Sequence, residues 1–226
     1  MKKVFTIIKG ESDRVPGKNF LDLAGKPLWR WLIDELADFD LYINTDSESL
    51  YNELEESSNA TAIKRSQKHI DWELRAGELG SPVMDMVKEF CESYLDSDED
   101  FALVHVTSPF LKSETLASAF ELFNNRLNHS VHSVKSIQDF MMCDSENSLM
   151  PMNFSFDRVS RTQDLSPVYQ SLGAFFVLNS KNLSENNYQR LTSTSIAMPI
   201  SNLESVEIDT VDDFAFANIL AKSICH

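Results

Sequence analysis

Short apolar, β-rich runs alternate along the chain with stretches whose apolar residues recur at helical spacing. Val4 to Ile8 predicts a buried first strand. Pro27 to Ala37 carries Leu28, Trp31, Leu32 and Leu36 on one helical face, with Pro27 suited to a first turn. Leu41 to Thr45 predicts a second strand, Ser47 to Glu55 a short acidic helix and Thr61 to Lys64 a third strand. Ser81 to Leu95 aligns Val83, Met86, Val87 and Phe90 as a helix, and Phe101 to Val106 is a fourth strand stopped by Pro109. Ser113 is placed to cap a helix running to about Arg126. Ser130 to Val134 and Ala174 to Leu178 predict further strands, Val206 to Asp209 a last strand and Val211 to Lys222 a last helix. Thr210 and Asp213 form a Thr-x-x-Asp capping pattern at its start. Between these, residues 139–170 are polar, rich in Met and Asn and weakly periodic, which predicts an excursion carrying a hairpin.

Strands alternating with helices predict an α/β class: a mostly parallel, doubly wound sheet with helices on both faces. The 226 residues suit one domain spanning residues 1–226, with no repeat or linker to divide them. On such a sheet, ligands bind beyond the carboxyl ends of the strands.

Composition narrows the function. A formal net charge of −15 argues against a nucleic-acid partner. No apolar run is long enough for a bilayer, and the apolar stretch after Lys2 and Lys3 is too short for a signal peptide, so no membrane is expected. Cys91, Cys143 and Cys225 lie far apart without zinc spacing, which suits a reducing, cytoplasmic setting; the Asn-x-Ser/Thr triplets at Asn59, Asn153 and Asn182 then carry no glycosylation message.

Against that acidity, the clustering of Lys9, Arg14 and Lys18 just after the first strand is informative. Gly10 and Gly17 permit close backbone approach, the backbone N–H groups of the loop can face phosphate oxygens, and Arg14 and Lys18 supply charge. Read from the residues alone, the loop is either a phosphate cradle or a solvated turn. Glu11 and Asp13 must point away or pair with a basic neighbour, because a carboxylate ~8 Å from a phosphate costs about 2 kcal/mol at an effective dielectric of ~20.

The loop Lys9-Gly10-Glu11-Ser12-Asp13-Arg14-Val15-Pro16-Gly17-Lys18-Asn19 resembles the nucleotide-binding loop of the cytidylyltransferases that activate sialic acids and related nonulosonic acids. Gly10, Ser12, Pro16, Lys18 and Asn19 match; Lys9 stands for the family's Arg, Glu11 for a Gly and Asp13 for a Lys, with Arg14 one place later. The similarity continues through Gly25-Lys26-Pro27-Leu28, Asn44-Thr45-Asp46, Val106-Thr107-Ser108-Pro109 and Arg161-Thr162-Gln163-Asp164-Leu165, then Tyr169 and Gly173-Ala174-Phe175, with Leu172 in place of an Asn. It ends in Ile208-Asp209-Thr210 and Asp213-Phe214, with Glu207 where the family has Asp.

The resemblance implies transfer of CMP from CTP to a nine-carbon sugar acid, in a homodimer that uses residues 139–170 for dimer contacts. It implies that Lys9, Gly10, Glu11, Ser12, Arg14, Lys18, Asn19, Asp46 and Arg65 hold the nucleotide, with Lys18, Arg14 and Asp209 central to catalysis. His105, Thr107, Ser108, Arg161, Gln163 and Gly173 would meet the sugar. Asp209 and Glu207 would hold Mg2+, and in a strand residues two apart do face one side. From the residues alone, Asp46 is equally a helix N-cap, His105 a strand histidine in a polar layer, Arg161 a surface ion pair, and Asp212 and Asp213 acids at the positive end of a helix dipole. Two other functions stay open: another sugar or polyol phosphate as acceptor, and a catalytically silent binding homologue.

Overall fold

Val4 and Phe5 are neighbours in sequence and belong to opposite layers of the molecule, because side chains alternate across a strand. The computed structural model describes residues 1–12, 14–57, 60–145 and 148–224; Asp13, Asn59 and Cys225, singled out above, lie outside them. Seven strands form the central sheet: β1 (Lys3–Ile8), β4 (Asp40–Thr45), β5 (Thr61–Lys64), β6 (Asp100–Val104), β7 (Val131–Ile137), β10 (Val168–Asn179) and β11 (Ile196–Pro199). Two small hairpins pair β2 (Asp22–Leu23) with β3 (Lys26–Pro27), and β8 (Met142–Ser145) with β9 (Ser148–Pro151). The sheet order is β11-β7-β10-β6-β1-β4-β5, in which β10 alone runs against the rest.

Helices cover both faces. On one, α1 (Leu28–Glu35), α2 (Glu48–Ser57) and α6 (Ser113–Leu122) bury Leu32, Leu50 and Leu116 against Val4, Ile43 and Val104. On the other, α5 (Val83–Tyr94) and the short α7 (Ser180–Glu185) cover Phe5, Leu103 and Phe176, with Phe90 stacked on Phe5 at 4.4 Å between ring centres. Each such fully buried side chain contributes roughly 1.5–3 kcal/mol. Short helices α3 (Gln67–Glu73) and α4 (Ala76–Leu79) follow β5, and α8 (Val211–Ile224) closes the chain. A third cluster places Ile208, Ala217 and Ala221 against Leu23, Leu28 and Phe110, which fixes the end of the chain beside its first loops.

Several boundaries differ from those predicted. Val206 to Asp209 is not a strand: the edge beside β7 is filled by β11, and the segment's backbone bonds are a local one from Val206 N to Leu203 O at 3.2 Å and one from Ile208 N to Thr107 O at 2.8 Å. Its alternation survives, since Ile208 is buried while Glu207 and Asp209 face a cavity. Ser113 is not a cap; Lys112 precedes the helix, and Ser113 N and Oγ donate to Glu35 Oε1 instead. That helix stops at Leu122, short of Arg126. Thr210 and Asp213 do form the reciprocal cap, Asp213 N donating to Thr210 Oγ1 and Thr210 N to Asp213 Oδ2.

The chain leaves β1 outward to β4 and β5, then returns to β6 on the other side of β1. The loops after β1 and β6 therefore diverge and open a crevice at the carboxyl ends of the strands.

Candidate active site

The loop after β1 is shaped by its backbone. Gly17 has φ of 61°, a left-handed conformation that glycine adopts without strain, and it starts the 3-10 turn Lys18–Phe20. That turn directs Lys18 inward. Its Nζ donates to Ile208 O at 2.7 Å and lies 3.4 Å from Asp209 Oδ1. Arg14 reaches the same Asp209 oxygen at 2.8 Å. Asn19 Nδ2 donates to Lys9 O at 2.9 Å and Gly10 N to Asp46 Oδ1 at 2.8 Å, so the loop is held at both ends. Glu11 is exposed.

Arg65 forms the floor. Its side chain is fully buried and donates to Asn44 Oδ1 at 2.9 Å, Glu73 Oε2 at 2.9 Å and Ile8 O at 3.3 Å, with Asp46 Oδ2 at 3.4 Å. Glu73 also meets Lys9 Nζ at 3.2 Å. Burying this guanidinium would be costly without such partners, and Lys9, paired with Glu73, also lines the crevice.

Two cavities flank the Lys18–Asp209 pair. One, of about 150 Å³, is lined by Lys9, Ser12, Lys18, Asn19, His105 and Thr107. The other, of about 460 Å³, is lined by Lys135, Gln170, Glu207, Asp209, Asp213 and Phe216. Between them, Glu207 Oε1 accepts a hydrogen bond from Gly173 N. Burial pushes the Glu207 carboxyl above its ordinary value, and the Asp209 charge adds to this, against the Gly173 N–H. His105 presents a buried Nε2 that meets no partner among the described residues. Burial brings its pKa down to about 4, with the Arg190 guanidinium acting in the same direction, so the ring is neutral near pH 7.

The structure thus gathers Lys9, Gly10, Ser12, Arg14, Lys18, Asn19, Asp46, Arg65, His105, Thr107, Glu207 and Asp209 around one crevice, with Ser108 buried beneath it and Gly173 at its edge. It does not bring Arg161 and Gln163 there. Arg161, with its side chain 72% exposed, forms a bidentate pair with Asp164 at 2.7 and 2.9 Å, and Gln163 offers its carbonyl to Gln138. Sequence reasoning missed Glu73, Lys135 and Gln170, and named Asn44 only as part of the Asn44-Thr45-Asp46 motif. Only a half-buried acid in a helix it did not predict could have signalled Glu73.

A second cluster joins His69, Asp85 and Glu89, whose ligand atoms lie within 4.8 Å of one another. Lys68 already occupies both carboxylates, at 2.8 and 2.6 Å, and His69 donates or accepts at Ser66 and Asp85, so these groups are satisfied as an ion-pair network.

The family profile for cytidylyltransferases matches residues 9–152, and the chain belongs to that family. Among curated relatives, N-acylneuraminate cytidylyltransferase of Streptococcus agalactiae is 31% identical over 219 residues, covering 90% of this chain and 49% of the relative. The chain therefore spans about half the length of that relative. Pseudaminic acid cytidylyltransferase of Campylobacter jejuni is 25% identical, covering 95% of this chain and 93% of its own. Among solved structures, a CMP:2-keto-3-deoxy-manno-octonic acid synthetase complexed with CTP superposes with a TM-score of 0.68 at 11% identity, over 99% of this chain and 100% of the other, which shows the shared α/β fold.

Proposed function

We propose that this protein is a cytidylyltransferase that transfers CMP from CTP to a nonulosonic sugar acid and releases pyrophosphate. The observation that carries this reading is the Lys18–Asp209 pair, where a cationic loop and an acidic segment meet at the wall between two cavities. The names of the relatives supply the substrates: N-acylneuraminate for one and pseudaminic acid for another.

In this reading the triphosphate lies over the loop from Lys9 to Asn19. Phosphate oxygens compete with Asp209 for Arg14, whose planar fork suits them, and Lys18 adds a buried point charge. Neutral His105 offers an uncommitted ring nitrogen for a hydrogen bond to a bound ligand. The anomeric oxygen bonds to the α-phosphorus, the bridge to the β-phosphate breaks and pyrophosphate leaves. Such a reaction depends on positioning and charge neutralisation rather than covalent help from the protein.

Glu207 and Asp209 fit a divalent cation. Both offer oxygen to one cavity, and the Asp209 charge raises the cost of charging Glu207, a repulsion that a hard cation relieves. Bound there, magnesium would supply charge neutralisation at the phosphates and ease loss of the attacking hydroxyl's proton.

We further read the chain as one domain acting as a homodimer in a reducing, cytoplasmic setting. Support for the dimer is the exposed apolar set in residues 139–170, including Leu149, Met150, Phe156 and Val159. Support for the setting is that Cys91 and Cys143 are free. Among the described residues, no helix is long and apolar enough to cross a membrane.

The deciding experiment is pyrophosphate release with magnesium and CTP against sialic, legionaminic, pseudaminic and shorter 2-keto sugar acids, with ATP, GTP and UTP as controls. CTP-specific release with one acid supports the proposal. No release with any acid, from folded protein, overturns it.

A further inference from the structure

A carboxylate entering the larger cavity meets a wall that repels it. Glu207, Asp209 and Asp213 all line that space. Asp213 Oδ2 accepts from the backbone N–H groups of Asp209 and Thr210 and from the Thr210 hydroxyl. One cation faces these acids among the lining residues, Lys135 of β7. It takes part in none of the ion pairs among the described residues. Its neighbour across the antiparallel pair is Gln170 of β10, which lines the same cavity and can donate a second hydrogen bond.

In a 2-keto sugar acid the carboxylate sits on the anomeric carbon itself. An acceptor whose anomeric oxygen approaches Asp209 must therefore place its carboxylate within a few bond lengths of the same spot. Arg161 is committed to Asp164 and exposed, away from this cavity. We propose that Lys135, with Gln170 beside it, receives the acceptor's carboxylate and so selects acids over neutral sugars. This rests on the cytidylyltransferase reading above.

The test is steady-state kinetics of Lys135→Gln, Lys135→Met and Lys135→Arg with the best acid from the panel, and with its methyl ester as a neutral probe. Loss of a charge-assisted hydrogen bond should raise KM for the acid roughly ten- to a hundredfold in the Gln and Met variants. KM for CTP should be unchanged, Arg should recover most of the loss, and the ester should be used equally by wild type and Gln variant. Thermal melts of all three variants establish that they fold, and Gln, which keeps a polar end on a partly buried strand position, serves if Met does not. An active wild type whose Gln and Met variants keep the acid's KM overturns the role of Lys135 and leaves the cytidylyltransferase reading standing. A wild type that releases no pyrophosphate with any acid overturns both.

Discussion

The Lys18 ammonium lies 3.4 Å from Asp209, 191 residues away in the sequence, and donates to the carbonyl just before it. This contact ties the first loop of the chain to the segment before its last helix. Lys18→Ala and Asp209→Ala should each lower turnover at least ~100-fold, the scale of removing one preorganised charge contact. Both should stay folded, since Ile208 remains packed in its apolar cluster. Near-normal turnover in either variant, measured by pyrophosphate release, would count against the site.

Arg65 should be the most sensitive position for stability. Arg65→Met leaves Glu73 and Asp46 without their guanidinium, and breaking a buried pair from one side typically costs about 3–5 kcal/mol. Urea denaturation should show this loss. The double variant Arg65→Met with Glu73→Leu should recover part of it, because the stranded charge is gone.

Gly173→Ala separates activity from stability. A Cβ there would stand 2.8 Å from Glu207 Oε1, the far end of a flexible side chain, which can swing aside. We expect a stability loss of about 1 kcal/mol, the typical size for a point change, but a clear fall in turnover as the carboxylate leaves Gly173 N. Equal activity of the variant would show that the position of Glu207 is immaterial.

The pH dependence of stability should carry the mark of His105. Its pKa falls from 6.5 to about 4 on folding, so the unfolded chain takes up the proton first. Its contribution is complete above about pH 6.5 and fades as pH drops to about 4, on the order of 3 kcal/mol in all. His132, also lowered by burial, acts in the same sense, whereas Glu207, raised by burial, acts in the opposite one. His105→Gln isolates the term: melting temperature should fall less steeply over this window than in wild type. Identical slopes would refute it.

Dimerisation through residues 139–170 should be sensitive to charge on the exposed apolar side chains. Met150→Asp with Phe156→Asp should shift a sedimenting dimer to monomer without changing the far-ultraviolet spectrum. A monomeric wild type would remove the dimer reading.

How much of this was legible in the sequence varied with the range of the interactions involved. β1 and β6 announce themselves as largely apolar runs because both their faces are buried, whereas β5 is a half-exposed edge strand betrayed only by its β-branched residues. β11 does not: Ile196–Pro199 is four residues ending in proline at a sheet edge, a pattern no periodicity separates from a loop. Val206 to Asp209 shows the converse, a true alternation that buries Ile208 in a side cluster rather than in the sheet. The cationic loop and its acidic counterpart were both visible as motifs, but that they touch depends on the sheet order. Glu73 and Lys135 were invisible because each gains meaning only from partners contributed by distant strands and loops.

The join between Lys18 and Asp209 also has a consequence in time. A growing chain makes its cationic loop first and the acid that neutralises it 191 residues later. At ~5–20 residues per second, the 191 intervening positions take about 10–40 s to synthesise. For that interval Arg14 and Lys18 lack Asp209, and the nascent protein offers an anion-attracting loop on an otherwise acidic chain. Arrival of Ile208 and Asp209 closes it, so the crevice is complete only once both segments have been made.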